Sequence, residues 1–573
     1  MKKLKRFITY LPLNLGFCVL LAFSACKKDK QDFSYDNRDV TDARKNSLVR
    51  VINLGSFNQV VMGNDTLTNY VVRTTTEPLK IYPGTKYFPS SGRLGSTWNI
   101  PQELLKSGKT RFMTEDISQY GVLDRLSFDI QEDVGQPLDY YALISDRNGA
   151  APVQKFIKIP RSIASPSDPA KFKIRILNLS STVAKNAMEN LVGPMSLTWA
   201  DGTPVSDKTS NIQPGQFSDY VELSYTTAQF KVLTASGIQV PGVFSDLILP
   251  ASSTLPGGSS WPPVNTNLTY TPFKTYMPGG VYTIVISPYY FRVPMLNSNP
   301  GDETKDYQNG VRIINDISEP LNMTYARVQA VNALPAQGAI QVTMNGKPLG
   351  AALEYASHTD YQEYIVGTYD VEAKDAKGNV LAGTRLKLDP NNNFTLWLYP
   401  DADGKAKIVA VPNDLSNMIP RTDATDDGTF SRYKLDYPFG LRFLNLCPDI
   451  PYATFTKDNG QVFLDRYNTN PNAVNNLRPG IFPVEYPYIQ ILQDEVPYKI
   501  MTYRSAPAIV PGSWASDVPV LTGKDLIARP ELYVRGGLPN HEPGIYTIAL
   551  IGTTKTSAPA GQKAKMIIVK HTK

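Results

Sequence analysis

Histidine is almost missing from this 573-residue chain, which holds only His358, His541 and His571. Zinc sites and His-based nucleophilic triads draw on that residue, and three scattered copies leave little to build either with. Ala356-Ser357-His358-Thr359-Asp360 sets Ser, His and Asp side by side. A working triad is assembled across space, so His358 reads as a loop residue ahead of a strand. Cysteine is equally scarce, with Cys18, Cys26 and Cys447. Charge of one sign is also lacking. The formal net charge is +6, and Lys2, Lys3, Lys5 and Arg6 crowd the first six positions, which leaves about +2 for the rest. Such a balance gives a nucleic-acid partner no electrostatic support. No Gly-rich loop followed by Lys-Ser or Lys-Thr is present to cradle phosphates. Long helical periodicity is missing too. In its place stand 45 prolines, 39 glycines and 32 tyrosines, a composition that favours many short strands and frequent turns.

The basic start is followed by an apolar stretch from Phe7 to Ala25, the layout of an export signal. Pro12 and Asn14 interrupt it, and Leu15–Ala25 offers about half of the roughly 20 apolar residues that a spanning helix needs. Ala22-Phe23-Ser24-Ala25-Cys26 resembles a bacterial lipobox, with Phe23 where Leu is usual, as in lipoproteins of the Bacteroidota. The resemblance implies cleavage before Cys26, lipidation of its thiol, and an outer-membrane lipoprotein on the cell surface or the periplasmic face. An ordinary cleaved signal with an incidental cysteine is the alternative. The charged run Lys27–Asp32 and the polar residues after it read as a flexible tether, residues 26–45, with a root-mean-square span of roughly 25 Å. With Cys18 removed and Cys26 acylated, no intramolecular disulfide can form. Cys447, in Leu444-Asn445-Leu446-Cys447-Pro448, reads as a small buried hydrophobe.

A six-residue signature recurs. Val49-Arg50-Val51-Ile52-Asn53-Leu54, Ile174-Arg175-Ile176-Leu177-Asn178-Leu179 and Leu441-Arg442-Phe443-Leu444-Asn445-Leu446 share it. A looser copy, Val328-Gln329-Ala330-Val331-Asn332-Ala333, has Gln in place of Arg. Each predicts a short strand ending at an asparagine suited to the following turn. A companion strand with an early aromatic comes later in each unit: Asp139-Tyr140-Tyr141, Val281-Tyr282-Thr283, Asn393-Phe394-Thr395 and Ile545-Tyr546-Thr547. Two units then close with a common tail, Val311–Ser318 and Val409–Ser416, each containing Asn-Asp. Phe217-Ser218-Asp219-Tyr220 is matched to Tyr361-Gln362-Glu363-Tyr364.

In the compact third unit, Ile340–Met344, an Asn345-Gly346 turn, Tyr361–Ile365, Tyr369–Ala373 and Val380–Leu388 predict a β-sandwich of immunoglobulin-like size. The expectation is an all-β chain of tandem sandwiches: 46–161, 168–318 with a long insertion, 324–417, and 430–573 with an insertion.

Tyr325–Ser416 resembles the bacterial domain of unknown function 4397. The matching pieces are Ala326-Arg327-Val328, Val342-Thr343-Met344-Asn345-Gly346-Lys347, Gly367-Thr368-Tyr369-Asp370-Val371 and Phe394–Val411. The resemblance implies extracytoplasmic sandwich modules and supplies no site.

Asp401-Ala402-Asp403-Gly404 starts like a calcium loop but lacks the Glu at position 12, so a hairpin turn is expected. Asp423–Gly428 reads as a solvated linker. The sequence therefore predicts no catalytic residues, no metal and no cofactor. Its candidates for contact with a ligand are Trp261 and Trp514, in Pro-rich insertions where exposed rings could stack on sugars or simply pack their own loops. The leading expectation is a non-catalytic, membrane-anchored lipoprotein for adhesion, scaffolding or ligand capture, with another envelope protein or a glycan as partner. Glycan binding like that of accessory starch-utilisation lipoproteins is the alternative, and an extracytoplasmic hydrolase the remote one.

Overall fold

The structure, a computed structural model, describes residues 46–72, 80–118, 120–144, 155–182, 191–242, 274–294, 303–413, 415, 439–463, 471–484, 487–489, 497–530 and 541–573. Among them the regular structure is strands and short 3-10 turns, with no α-helix. Four apolar cores follow one another along the chain, centred on Val51 and Phe112, on Ile174 and Ile284, on Val328 and Leu396, and on Leu441 and Ile548.

Every module is organised around its signature strand: Asn46–Asn53, Lys171–Asn178, Tyr325–Asn332 and Phe439–Asn445. Each runs parallel to the companion strand, Leu138–Ala142, Val281–Pro294, Asn393–Pro400 and Gly544–Ile551. Parallel neighbours need a long crossover, and the intervening chain supplies it by building the opposing sheet. A closing strand then pairs antiparallel with the companion on its other side. The start of the signature strand and the end of the closing strand therefore lie at one end of the module. Arg50, Asp139 and Ile159 stand in one row, as do Ile174, Tyr282 and Asn315; Val328, Phe394 and Pro412; and Leu441, Tyr546 and Lys570.

The signature asparagine does more than suit a turn. Asn178 donates from Nδ2 to the carbonyls of Gly193 (2.9 Å) and Ile212 (2.8 Å), and its Oδ1 accepts from the Ser180 amide (3.1 Å). Asn445 repeats this with Ile450, Leu477 and the Cys447 amide, Asn53 with Phe57, Gly95 and the Gly55 amide, and Asn332 with Leu353 and the Leu334 amide. One side chain thus closes an Asx turn and ties down a distant loop.

The third module follows its expected strands closely. Asn345 and Gly346 both take positive φ (48° and 75°), as a tight two-residue hairpin requires, between Gln341–Met344 and Lys347–Pro348. Val380–Leu388 is a strand over its expected length. Asp401 accepts from the amides of Asp403 and Lys405, so its loop is a self-capped hairpin turn.

Three expected alignments shift in register. The aromatic of the first companion strand, Tyr140, pairs with Val51, whereas Tyr282, Phe394 and Tyr546 pair two positions earlier on their signature strands. Leu138 holds the equivalent place. The two tails are offset by one residue, since Thr283 faces Ile314 while Thr395 faces Val411, so Asp316 corresponds to Asn413. Tyr220 corresponds to Tyr361 and not to Tyr364, because Val221 pairs with Ile174 where Gln362 pairs with Val328.

Replacing Asn178 with Ala should destabilise the second module by about 2–4 kcal/mol, because two loop carbonyls lose their donor. Urea unfolding against the parent protein measures it; a loss below about 0.5 kcal/mol would show that the clamp is dispensable.

Candidate functional site

Of the residues singled out by sequence, Cys26 and Trp261 lie outside the described residues. Trp514 is described and about half exposed. It sits at the end of a strand, Ile509–Trp514, directly opposite Tyr503, and not in a loop as expected. Cys447 is fully buried in the fourth core, and burial pushes its thiol up to about 12, which leaves it protonated and unreactive.

The groups that the fold does bring together lie between modules. Signature strands expose alternate faces. Val49, Val51 and Asn53 point into their own core, and Arg50, Ile52 and Leu54 point out of it. The outward face of module one, Ile52, Leu54, Tyr141, Leu143 and Ile159, packs on that of module two, Leu177, Leu179, Val285 and Ile314. Modules three and four repeat the arrangement through Val331, Ala333, Trp397 and Val411 against Leu444, Leu446, Ala549, Ile551 and Val569.

Each paired face carries one polar signature residue, set opposite a fixed companion position: Arg50 beside Asp139, Arg175 beside Thr283, Gln329 beside Thr395, Arg442 beside Thr547. Arg50 forms a two-pronged pair with Asp139 (3.0 and 2.7 Å) and reaches across to Asp316 (3.2 Å) and the Asn315 carbonyl of module two. Arg161 also donates to Asp139 (2.9 Å) and to the Asp316 carbonyl (2.9 Å). Asp316 accepts from Tyr220 and Thr283 as well. Burial raises the Asp316 pKa, Arg50 and Arg175 draw it back, and Asp139 adds to the rise. Burial opposes the charge on Arg50 too, but Asp139 and Asp316 more than offset it.

In the second pair Arg442 donates to the Pro412 carbonyl (2.7 Å), to Asn413 and to Thr547. His571 links three modules: Nδ1 meets Gln329 (3.0 Å) and the Tyr361 hydroxyl (3.1 Å) of module three, Nε2 meets Thr547 (2.7 Å), and the chain after it reaches module two. There Lys573 donates its amide to the Thr227 carbonyl and accepts from the Gln229 amide. Arg327 joins module three to module two through Thr226 (2.8 Å). Burial, with Arg442 and His358 nearby, holds His571 well below the ordinary imidazole range, so it is neutral.

Residue counts do not mark these positions. A readable trace existed in Ser218-Asp219-Tyr220 and Thr359-Asp360-Tyr361. Ser218 and Thr359 each accept from a signature-strand amide, Ile176 or Ala330, and each tyrosine ring lies under an arginine, Arg175 or Arg327.

The comparisons add a family for one part. Residues 326–423 match the model of the family described as Domain of unknown function (DUF4397). The DUF4397 match thus falls on the third module. No curated protein matches the chain significantly. Among solved structures, the Bacteroides ovatus mixed-linkage glucan utilization locus SGBP-B in complex with a mixed-linkage heptasaccharide aligns at 13% identity over 55% of this chain and 64% of that one, with a TM-score of 0.10. The Bacillus anthracis TIE protein aligns at 10% identity over 61% and 49%, also with a TM-score of 0.10. The chain thus spans less than two thirds of either, and superpositions this poor carry no argument.

Two outcomes follow from the buried contacts. Arg50→Met should cost about 3–5 kcal/mol, because it removes the cation that two buried carboxylates share and leaves Asp316 with neutral side-chain donors alone, and should expose the junction of modules one and two to limited proteolysis. For His571 the folded pKa lies below the unfolded value near 6.5, so the unfolded chain binds more protons below that pH. Its stabilisation is complete above about pH 6.5 and is lost as pH falls. Thermal unfolding measured from pH 7.5 to 5 should show this slope, and His571→Gln should flatten it.

Proposed function

We propose that the chain is a non-catalytic cell-envelope lipoprotein, anchored through Cys26, that presents its sandwich modules for adhesion, scaffolding or ligand capture. The observation that carries this reading is the placement of the buried ionisable groups. Arg50 and Asp139 of module one meet Asp316 of module two, and Arg442 and His571 of module four meet Pro412, Asn413, Gln329 and Tyr361 of module three, so that these groups are consumed in holding modules together. The basic start, short apolar stretch and small residues before Cys26 support the anchor. Among the described residues no helix is long and apolar enough to cross a membrane.

Glycan binding is the second reading, and Trp514 favours it. A half-exposed indole on a paired strand is a rigid platform, with Tyr503 beside it. Turnover of glycans or peptides by the purified protein would instead favour the extracytoplasmic hydrolase.

Palmitate labelling of growing cells should mark the parent chain and not Cys26→Ser, and protease applied to intact cells should remove the chain while sparing a periplasmic control. Labelling of the variant would remove the anchor from this account. Protection from protease would turn the modules toward the periplasm and leave scaffolding as their role.

A further inference from the structure

The loop end of module one gathers aromatic rings around a pair of opposed carboxylates. In the long hairpin of Lys109–Ser118 and Gly121–Gln131, Asp116 stands directly opposite Asp124, so the two side chains share a face. Like charges in that position repel. Ser56 donates to Asp116 (2.6 Å), whereas Oδ2 of Asp124 is shielded from solvent and meets no donor among the described residues. Beside them lies Tyr82, close enough for the Asp116 charge to act on its phenol. Its ring is partly exposed, 5.0 Å from that of Tyr70, with the Arg93 guanidinium 5.4 Å away.

The parts are fixed to one another. Asn58 donates to the Tyr82 hydroxyl (3.1 Å) and to the Ile117 carbonyl (2.9 Å), and accepts from the Ile117 amide (3.0 Å). A register shift after Asp116 inserts one extra residue, Leu123, and such a bulge twists the hairpin tip. Tyr120 at that tip is 84% exposed.

From this arrangement we infer that the loop end of module one is a saccharide-binding surface, formed by Asp124, Tyr70, Tyr82, Arg93 and Tyr120, with Asp116 buried behind it. The part-buried Asp124 carboxylate, one oxygen of which meets no donor among the described residues, calls for a hydroxyl donor, and partly exposed tyrosine rings offer flat apolar surface to the C–H face of a sugar. Nucleic acid is disfavoured by the same carboxylates. The surface also lies far from the start of module one. Glu132, which follows the second hairpin strand, accepts from the Leu48 amide near the start of module one. The tip lies eleven residues further back along that strand, on the order of 35 Å away. This inference rests on the reading of the chain as a ligand-capturing envelope protein and supplies the place of capture.

The test is affinity electrophoresis of the full-length protein, purified in detergent, through gels holding amylopectin, xylan, laminarin or pectin. At least one should retard the parent protein. Tyr120→Ala and Asp124→Asn should each weaken that retardation fivefold or more, and Val134→Ala, in an exposed turn at the other end of the hairpin, should leave it unchanged. Asp124→Asn should also raise the thermal midpoint, since it relieves the carboxylate repulsion while removing a ligand contact. Should its midpoint fall instead, Tyr120→Ala, a change on an exposed tip, decides alone. Equal retardation of parent and variants overturns this site and leaves glycan capture standing elsewhere on the chain. No retardation by any of the four overturns both.

Discussion

Parallel pairing of the first strand of each module with the last strand but one is the constraint on which the molecule depends. In the first three modules it places the signature strand inside its sheet, with neighbours on both edges, and in the fourth the other edge is met by a single bridge from Leu441 to Ile489. A sheet containing parallel strands is ordinarily covered on both faces. One face here meets the module's own core. The other must find cover outside the module, and it does so on the matching face of the adjacent module. The near-continuous apolar runs of the signature strands are the sequence image of that double burial.

Apolar faces alone would slide over one another. The polar residue three places before the signature asparagine prevents this, because a buried guanidinium needs acceptors at fixed positions. Arg50 finds them on Asp139 of its own sheet and at the end of module two, and Arg442 finds them on Thr547 and at the end of module three. Two pairs therefore form by the same device, with a carboxylate in one and an amide in the other. His571 and Lys573 then join module four to modules three and two through neutral hydrogen bonds and backbone pairing.

Much of this was legible one module at a time. The signature asparagine, the Asn345-Gly346 turn and the strand Val380–Leu388 follow from turn chemistry and period-two patterning, which act locally. Register was less legible. Moving Tyr140 by two positions keeps it on the same face, so no hydrophobic pattern betrays the shift, and the tails slip by one because turns set antiparallel register. The pairing of modules was hidden for a different reason. Ile52 and Leu177 look like core residues in sequence, and they are buried, but in a core shared by two modules. For Trp514 the sequence left open whether the ring is exposed or packs its own loop, and its support, a paired strand, was not legible. The carboxylate pair of module one escaped notice because Asp116 and Asp124 become neighbours only through a bulged hairpin.

That the chain enters and leaves each module at the same end has a mechanical consequence. A tension drawn along the chain would act on the signature and closing strands at their shared end, peeling them from the companion strand one hydrogen bond at a time instead of shearing the whole ladder at once. Modules of this kind, taken singly, would yield at low force. Their resistance would come from the faces that hold them in pairs, so that a pull along the chain is borne first by the Arg50 and Arg442 contacts and reaches the strands only after a pair has come apart.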